Sequence, residues 1–102
     1  MKIAICAISK GEDLYLKDWV EYYKNMGVSN IIFNDNEDIG KDNQKDILKE
    51  YIESGFVIYQ DYRGKIAYQN SSYQETYYRY NDKFDWIGFF DIDEFVQFDK
   101  SY

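Results

Sequence analysis

Apolar positions run unbroken from Ile3 to Ile8, which suits a strand covered on both faces rather than one open to water. The period then changes. After the turn "SKGED", Leu16, Trp19, Val20 and Tyr23 recur at offsets of three, four and seven, which predicts a helix with one apolar face ending near Gly27, with Asp13 as its N-cap. "NIIFND" is a second short β-rich run, and the polar, glycine-containing "NEDIGKDNQ" after it reads as a loop. Ile47, Leu48, Tyr51 and Ile52 form a second helical stripe, closed by Ser54 and Gly55, and "FVIYQ" is a third strand. From Gln69 to Tyr80 the tyrosines at 73, 77 and 80 fit a helix face. "DWIGFFDID" closes the series as a fourth strand. Strands alternating with helices predict an α/β fold, a mostly parallel sheet with flanking helices.

Composition restricts what such a fold can do. A chain of 102 residues fits one small domain, short for an enzyme, and its 45% apolar and 21% aromatic content can fill one modest core. The formal charge of −7 argues against nucleic acid or an anionic membrane as partner, since both call for a basic surface. One cysteine and no histidine exclude an internal disulfide, zinc sites of the Cys/His type and Ser/His or Cys/His catalysis, and Cys6 reads as an inert buried residue. Carboxylates remain as hard metal ligands. "IAICAI" is too short for a signal peptide or a membrane span, so the sequence predicts a soluble, cytoplasmic chain.

Parallel open sheets bind ligands beyond the carboxyl ends of their strands. There the pattern places Lys10, Gly11 and Glu12 after strand one, Asn34, Asp35 and Asn36 after strand two, and Asp91, Asp93 and Glu94 after strand four, all at one edge. "SKGEDL" lacks the glycines of a dinucleotide fingerprint, and no Walker loop is present. What remains is a glycine-poor nucleotide pocket in which carboxylates grip the ribose or base and a divalent cation carries the phosphates. Residues i and i+2 of a strand share one side, so the carboxylates of Asp91 and Asp93 can converge on one cation while Ile92 packs inward. Mn²⁺ or Mg²⁺ suits such oxygen ligands and leaves positions open for a diphosphate. The bland alternatives are a solvated strand end for the acidic triplet, dipole-favoured capping for Glu12 and Asp13, a turn-forming role for Asp35, and simple capping or exposure for Gln69.

"WIGFFDIDEF" resembles the Asp-x-Asp segment of the nucleotide-diphospho-sugar transferases, in particular the glycosyltransferase family 92 and family 2-like group. The opening "IAICAISKGEDLYLKDWVEYYKNMGVSNIIFNDNED" and the helix "QNSSYQETYYRYNDKFDW" are similar to that group's as well, so the resemblance covers nearly the whole chain, in order. It implies the N-terminal half of a GT-A fold, residues 1–102 being the nucleotide-sugar-binding portion without the acceptor half that supplies the catalytic base of inverting members. Carried over, it implies that Glu12 and Asp35 hold the nucleoside, that Asp91 and Asp93 bind the metal and the donor diphosphate, and that Glu94 orients the loop or the donor sugar. Gln69 would reach the donor pocket. Gly11 stands where the group has Asn, Tyr23 where His is common and Thr76 where Cys is common; the last two read as packing changes. The implied partners are a nucleotide-sugar donor, above all a UDP-sugar, and a saccharide acceptor bound by a longer parent in polysaccharide biosynthesis. A half-sheet with an open edge also favours a homo-oligomer. The main alternative is a non-catalytic interaction module derived from such a transferase. A phosphatase of the haloacid dehalogenase type fits less well, because Phe95 stands where that motif has Thr or Val and the motif lies late in the chain.

Overall fold

The computed structural model describes residues 1–11, 13–65 and 69–90. In chain order the elements are β1 (Ile3–Ser9), α1 (Asp13–Met26), β2 (Asn30–Asp35), α2 (Asn43–Ile47), α3 (Lys49–Glu53), β3 (Val57–Asp61), α4 (Gln69–Tyr80) and β4 (Trp86–Phe89). The four strands form one parallel sheet in the order β3-β2-β1-β4. The chain therefore winds outward from β1 to β3, and α4 then carries it back to the far side of β1. A right-handed crossover puts helices on opposite faces when the winding direction reverses, which is how the doubly wound α/β sheet arises.

Burial follows the strand period of two. Ile5, Ala7, Ile31, Phe33 and Val57 point to one face, where Leu16, Trp19, Val20 and Tyr23 of α1 meet them together with Leu48 and Tyr51. All four α1 residues are fully buried, and the Trp19 and Tyr23 rings pack edge to face at 5.1 Å. Ala4, Cys6 and Ile32 point to the other face, against Tyr73 and Tyr80 of α4 and against Phe84, Ile87 and Phe89. β1 is thus covered on both sides, which is why its sequence is an unbroken apolar run.

Three expectations need correction. The segment read as a loop up to Gln44 already contains the start of α2, and the second helical stripe is two short helices divided at Leu48 (φ −92°, ψ 4°). Gln44 and Leu48 are both fully buried, and a helix anchored by an amide has no apolar period to announce it. β3 begins one residue later than "FVIYQ", at Val57. In α4 the extent is as expected and Tyr73 and Tyr80 of the expected face pack inward, but Tyr77 is half exposed, and Ser72 and Thr76, one turn apart, are fully buried.

Thr76 is accordingly more than a packing substitution. Its hydroxyl donates to the Ser72 carbonyl (2.8 Å) and accepts from Asn34 Nδ2 (3.3 Å) and Gln60 Nε2 (3.0 Å). Gln60 Nε2 also donates to Asn34 Oδ1 (2.6 Å), and Arg79 donates to Gln60 Oε1. One donor and two acceptor positions fill the hydroxyl's capacity. Thr76→Val keeps the shape and removes the hydroxyl, leaving two buried amides short of a partner, so a loss of about 1–3 kcal/mol is expected in urea unfolding. Thr76→Ser is expected to lose less, and equal midpoints for the Val variant and the wild type would contradict this network.

Candidate functional site

The register sets the ends of the strands level: Ser9 pairs with Asp35, and Asp35 with Asp61. The loops after β1, β2 and β3 therefore gather at one edge, as the sequence predicted for Lys10–Gly11 and Asn34–Asn36. β1 lies between β2 on one side and β4 on the other, so the reversal of winding falls between the carboxyl ends of β1 and β4, the position at which open α/β sheets take their ligands.

Asp35 is fully buried at this edge. Its Oδ1 accepts from Gln44 Nε2 (2.8 Å) and from the Glu37 N–H (3.0 Å), and its Oδ2 from the Tyr59 hydroxyl (2.5 Å). The bond to the amide two residues on is an Asx turn, so the turn-forming role of Asp35 is real, and the carboxylate does much else besides. Gln44 extends the network: its Nε2 also donates to the Ser9 carbonyl (3.0 Å), and its Oε1 accepts from the Ser9 hydroxyl (2.7 Å). Burial, with the Asp35 carboxylate beside it, raises the Tyr59 hydroxyl well above the usual phenol range, so it acts as a donor here.

Glu37, which the sequence did not single out, is the second buried acid, 4% exposed. Its Oε2 accepts from the Gly11 N–H (2.8 Å) and from Asn43 Nδ2 (3.1 Å). Burial alone would raise its pKa, but the bonds from Asn43, Gly11 and the Asp38 amide, together with the Lys41 charge, outweigh it and hold the carboxyl below its usual range. Gly11 has φ +73°, a left-handed conformation that suits glycine and turns its N–H toward Glu37. The only earlier clue to Glu37 was its place two residues beyond Asp35.

The loop after β3 is stitched to the same structure. Arg63 donates to Asp61 (Nε 3.0 Å, NH2 2.9 Å), to Asp42 (2.6 Å) and to the Lys41 carbonyl (3.1 Å), while Asn36 Nδ2 donates to the carbonyls of Tyr62 (2.8 Å) and Lys65 (2.7 Å). Between the first and second loops lies an open depression of about 660 Å³, with Lys10, Gly11, Glu37, Lys41 and Asn43 among its walls.

At β4, Cys6 pairs with Phe89, and the Phe90 N–H donates to the Cys6 carbonyl (3.0 Å). Gly88 permits this ending: a Cβ there would stand 2.6 Å from the Phe90 ring, which packs against the α1 face. The Cys6 thiol, pushed up to about 12 by burial, is an inert core group. Asp91, Asp93 and Glu94 follow directly in sequence and lie outside the described residues, as do Glu12 and the side chain of Gln69, whose backbone opens α4. Among the described residues no cluster of three or more His, Cys, Asp or Glu side chains is arranged to hold a metal, and no helix is long and apolar enough to cross a membrane.

The family model for glycosyltransferase family 92 matches residues 2–102. Curated proteins of the same description are similar at low identity: one from Ricinus communis is 26% identical over 94 residues, which is 92% of this chain and 17% of the relative. One from Arabidopsis thaliana is 24% identical over 95% of this chain and 16% of its own length. A third, from Oryza sativa subsp. japonica, is 24% identical over 94% of this chain and 16% of the relative. The chain thus spans about a sixth of the length of the relatives it matches. With a model that covers all but the first residue, and a parallel sheet of the kind the resemblance implied, the chain belongs to glycosyltransferase family 92.

Proposed function

We propose that this chain is the nucleotide-sugar-binding part of a glycosyltransferase and that it holds its donor at the carboxyl edge of the sheet with the help of Mn²⁺ or Mg²⁺. The observation that carries this is the strand order: β4 returns to β1 on the side away from β2, and its sequence runs from Phe90 straight into Asp-Ile-Asp-Glu. That puts the acidic segment next in sequence to the crevice where such sheets bind ligands. Asp91 and Asp93 are assigned to the cation and through it to the donor diphosphate, whose departure the metal eases by neutralising charge. Glu94 orients the loop or the donor sugar.

Glu12 and Asp35 are assigned to the nucleoside and Gln69 to the donor pocket. For Asp35 the described bonds add a condition: its carboxylate reaches a ribose hydroxyl by exchanging it for that of Tyr59, one O–H donor for another. The donor is a UDP-sugar and the acceptor a saccharide, the latter bound by the parent protein.

The test is calorimetry of the chain with UDP, GDP and CMP, each with and without Mn²⁺. Binding of UDP that requires Mn²⁺ is expected. Equal binding of all three without metal, or none under either condition, would overturn the proposal and leave an interaction module as the better account.

A further inference from the structure

We propose that Glu37 is a positioning residue: it clasps the turn after β1 into the shape in which that turn meets the donor nucleotide, a role that rests on the donor-binding function proposed above. The geometry behind it is a convergence of four segments on one residue. The Glu37 carboxylate takes the Gly11 N–H of the first turn and Asn43 Nδ2 of α2, its own N–H bonds Asp35 at the end of β2, and its carbonyl accepts the Gly64 N–H (2.8 Å) from the loop after β3.

The turn after the first strand is where dinucleotide-binding sheets offer free backbone N–H groups to a pyrophosphate. Here the Gly11 N–H is already bonded to a carboxylate of the protein itself, and that carboxylate is almost wholly buried. A phosphate brought to the same N–H would lose the hydrogen bond and meet a like charge. Glu37 therefore has two effects on this turn: it fixes the backbone of Lys10 and Gly11 at the wall of the open depression, and it keeps that backbone from serving as a phosphate cradle. The first turn is left to the uncharged part of a nucleotide, and the diphosphate must be met elsewhere at the edge.

A glutamine can reproduce the clasp, because one amide oxygen has two lone pairs for Gly11 and Asn43. An alanine cannot. The experiment follows amide exchange of Gly11 by NMR in the full chain, together with calorimetry of UDP in the presence of Mn²⁺, for wild type, Glu37→Gln and Glu37→Ala. In Glu37→Ala, Gly11 is expected to exchange at least about tenfold faster and UDP to bind about tenfold more weakly, with Glu37→Gln close to wild type on both readouts. Unchanged Gly11 exchange in Glu37→Ala would overturn the clasp. Faster exchange with unchanged UDP affinity would overturn its role toward the donor. Should the wild type not bind UDP with Mn²⁺, the donor-binding function and the donor-facing half of this proposal fail together, while the exchange result still decides the clasp.

Discussion

Asp35→Ala is expected to destabilise the chain by about 3–5 kcal/mol, a large share of the roughly 5–15 kcal/mol that holds a domain together. The substitution leaves the Tyr59 hydroxyl, one Gln44 N–H and the Glu37 N–H without their acceptor at a fully buried position. Each stranded donor costs about 1–3 kcal/mol, and the total falls short of the sum because neighbours in one network are not additive. Asp35→Asn is expected to cost much less. Its carbonyl can accept from Gln44 and the Glu37 N–H, and its amide can donate to the Tyr59 oxygen, since a phenol hydroxyl serves in either sense. Urea unfolding of the three proteins measures the order: wild type, then Asn, then Ala well below. An Ala variant as stable as the Asn variant would mean that shape, and not the acceptor, is what Asp35 supplies.

This network explains how far the sequence could be read. The strands and α1 were legible because most of their burial is apolar and periodic: Ala4, Ile5, Cys6 and Ala7, then Ile31, Ile32 and Phe33, and the Leu16, Trp19, Val20, Tyr23 face lie in the core where the pattern placed them. The parallel sheet also followed from the alternation of strands and helices, whereas the strand order, with β4 returning beside β1, is seen only in the structure. What the sequence hid is burial through polar groups. Gln44 is as buried as Leu48 but marks no stripe, so the start of α2 read as a loop. Tyr73 and Tyr80 do face the sheet as the period predicted, but Ser72 and Thr76 share that face, with Thr76 bonded to the amides of Asn34 and Gln60, while Tyr77 turns outward. At the site, Asp35 was found through its place after β2, whereas Glu37 came to light only when Gly11, 26 residues away in sequence, and Asn43 were brought to it.

The second large effect is expected at the acidic segment. Asp93→Asn keeps the size and one oxygen of the side chain but removes the charge that a divalent cation needs from a ligand. Loss of a residue merely supporting a metal ligand typically costs 10–100-fold in affinity, so loss of a direct one is expected to weaken Mn²⁺-dependent UDP binding by about 100-fold or more. Asp91→Asn is expected to do the same, and the double variant to add little, since both act on one ion. Asp82→Asn is the matching control. It removes an equal charge from an exposed position between α4 and β4, at the opposite end of the sheet, and is expected to leave binding within about twofold. Calorimetry with and without Mn²⁺ reads all four. If Asp82→Asn weakened binding as much as Asp93→Asn, the effect would be one of net charge and the assignment of Asp93 as ligand would fall.

The central claim is that a metal–nucleotide pair occupies the carboxyl edge of the sheet where β1 and β4 diverge. Mn²⁺ is paramagnetic and erases the NMR signals of the amides nearest to it, so it reports its own position. Substoichiometric Mn²⁺ added to the labelled chain with UDP is expected to broaden Phe89, Phe90 and Ser9 first, and to leave Asp82 and Lys2 at the other end sharp. Broadening centred on the exposed acids around Asp42 and Asp61, or spread evenly over the acidic surface, would contradict it.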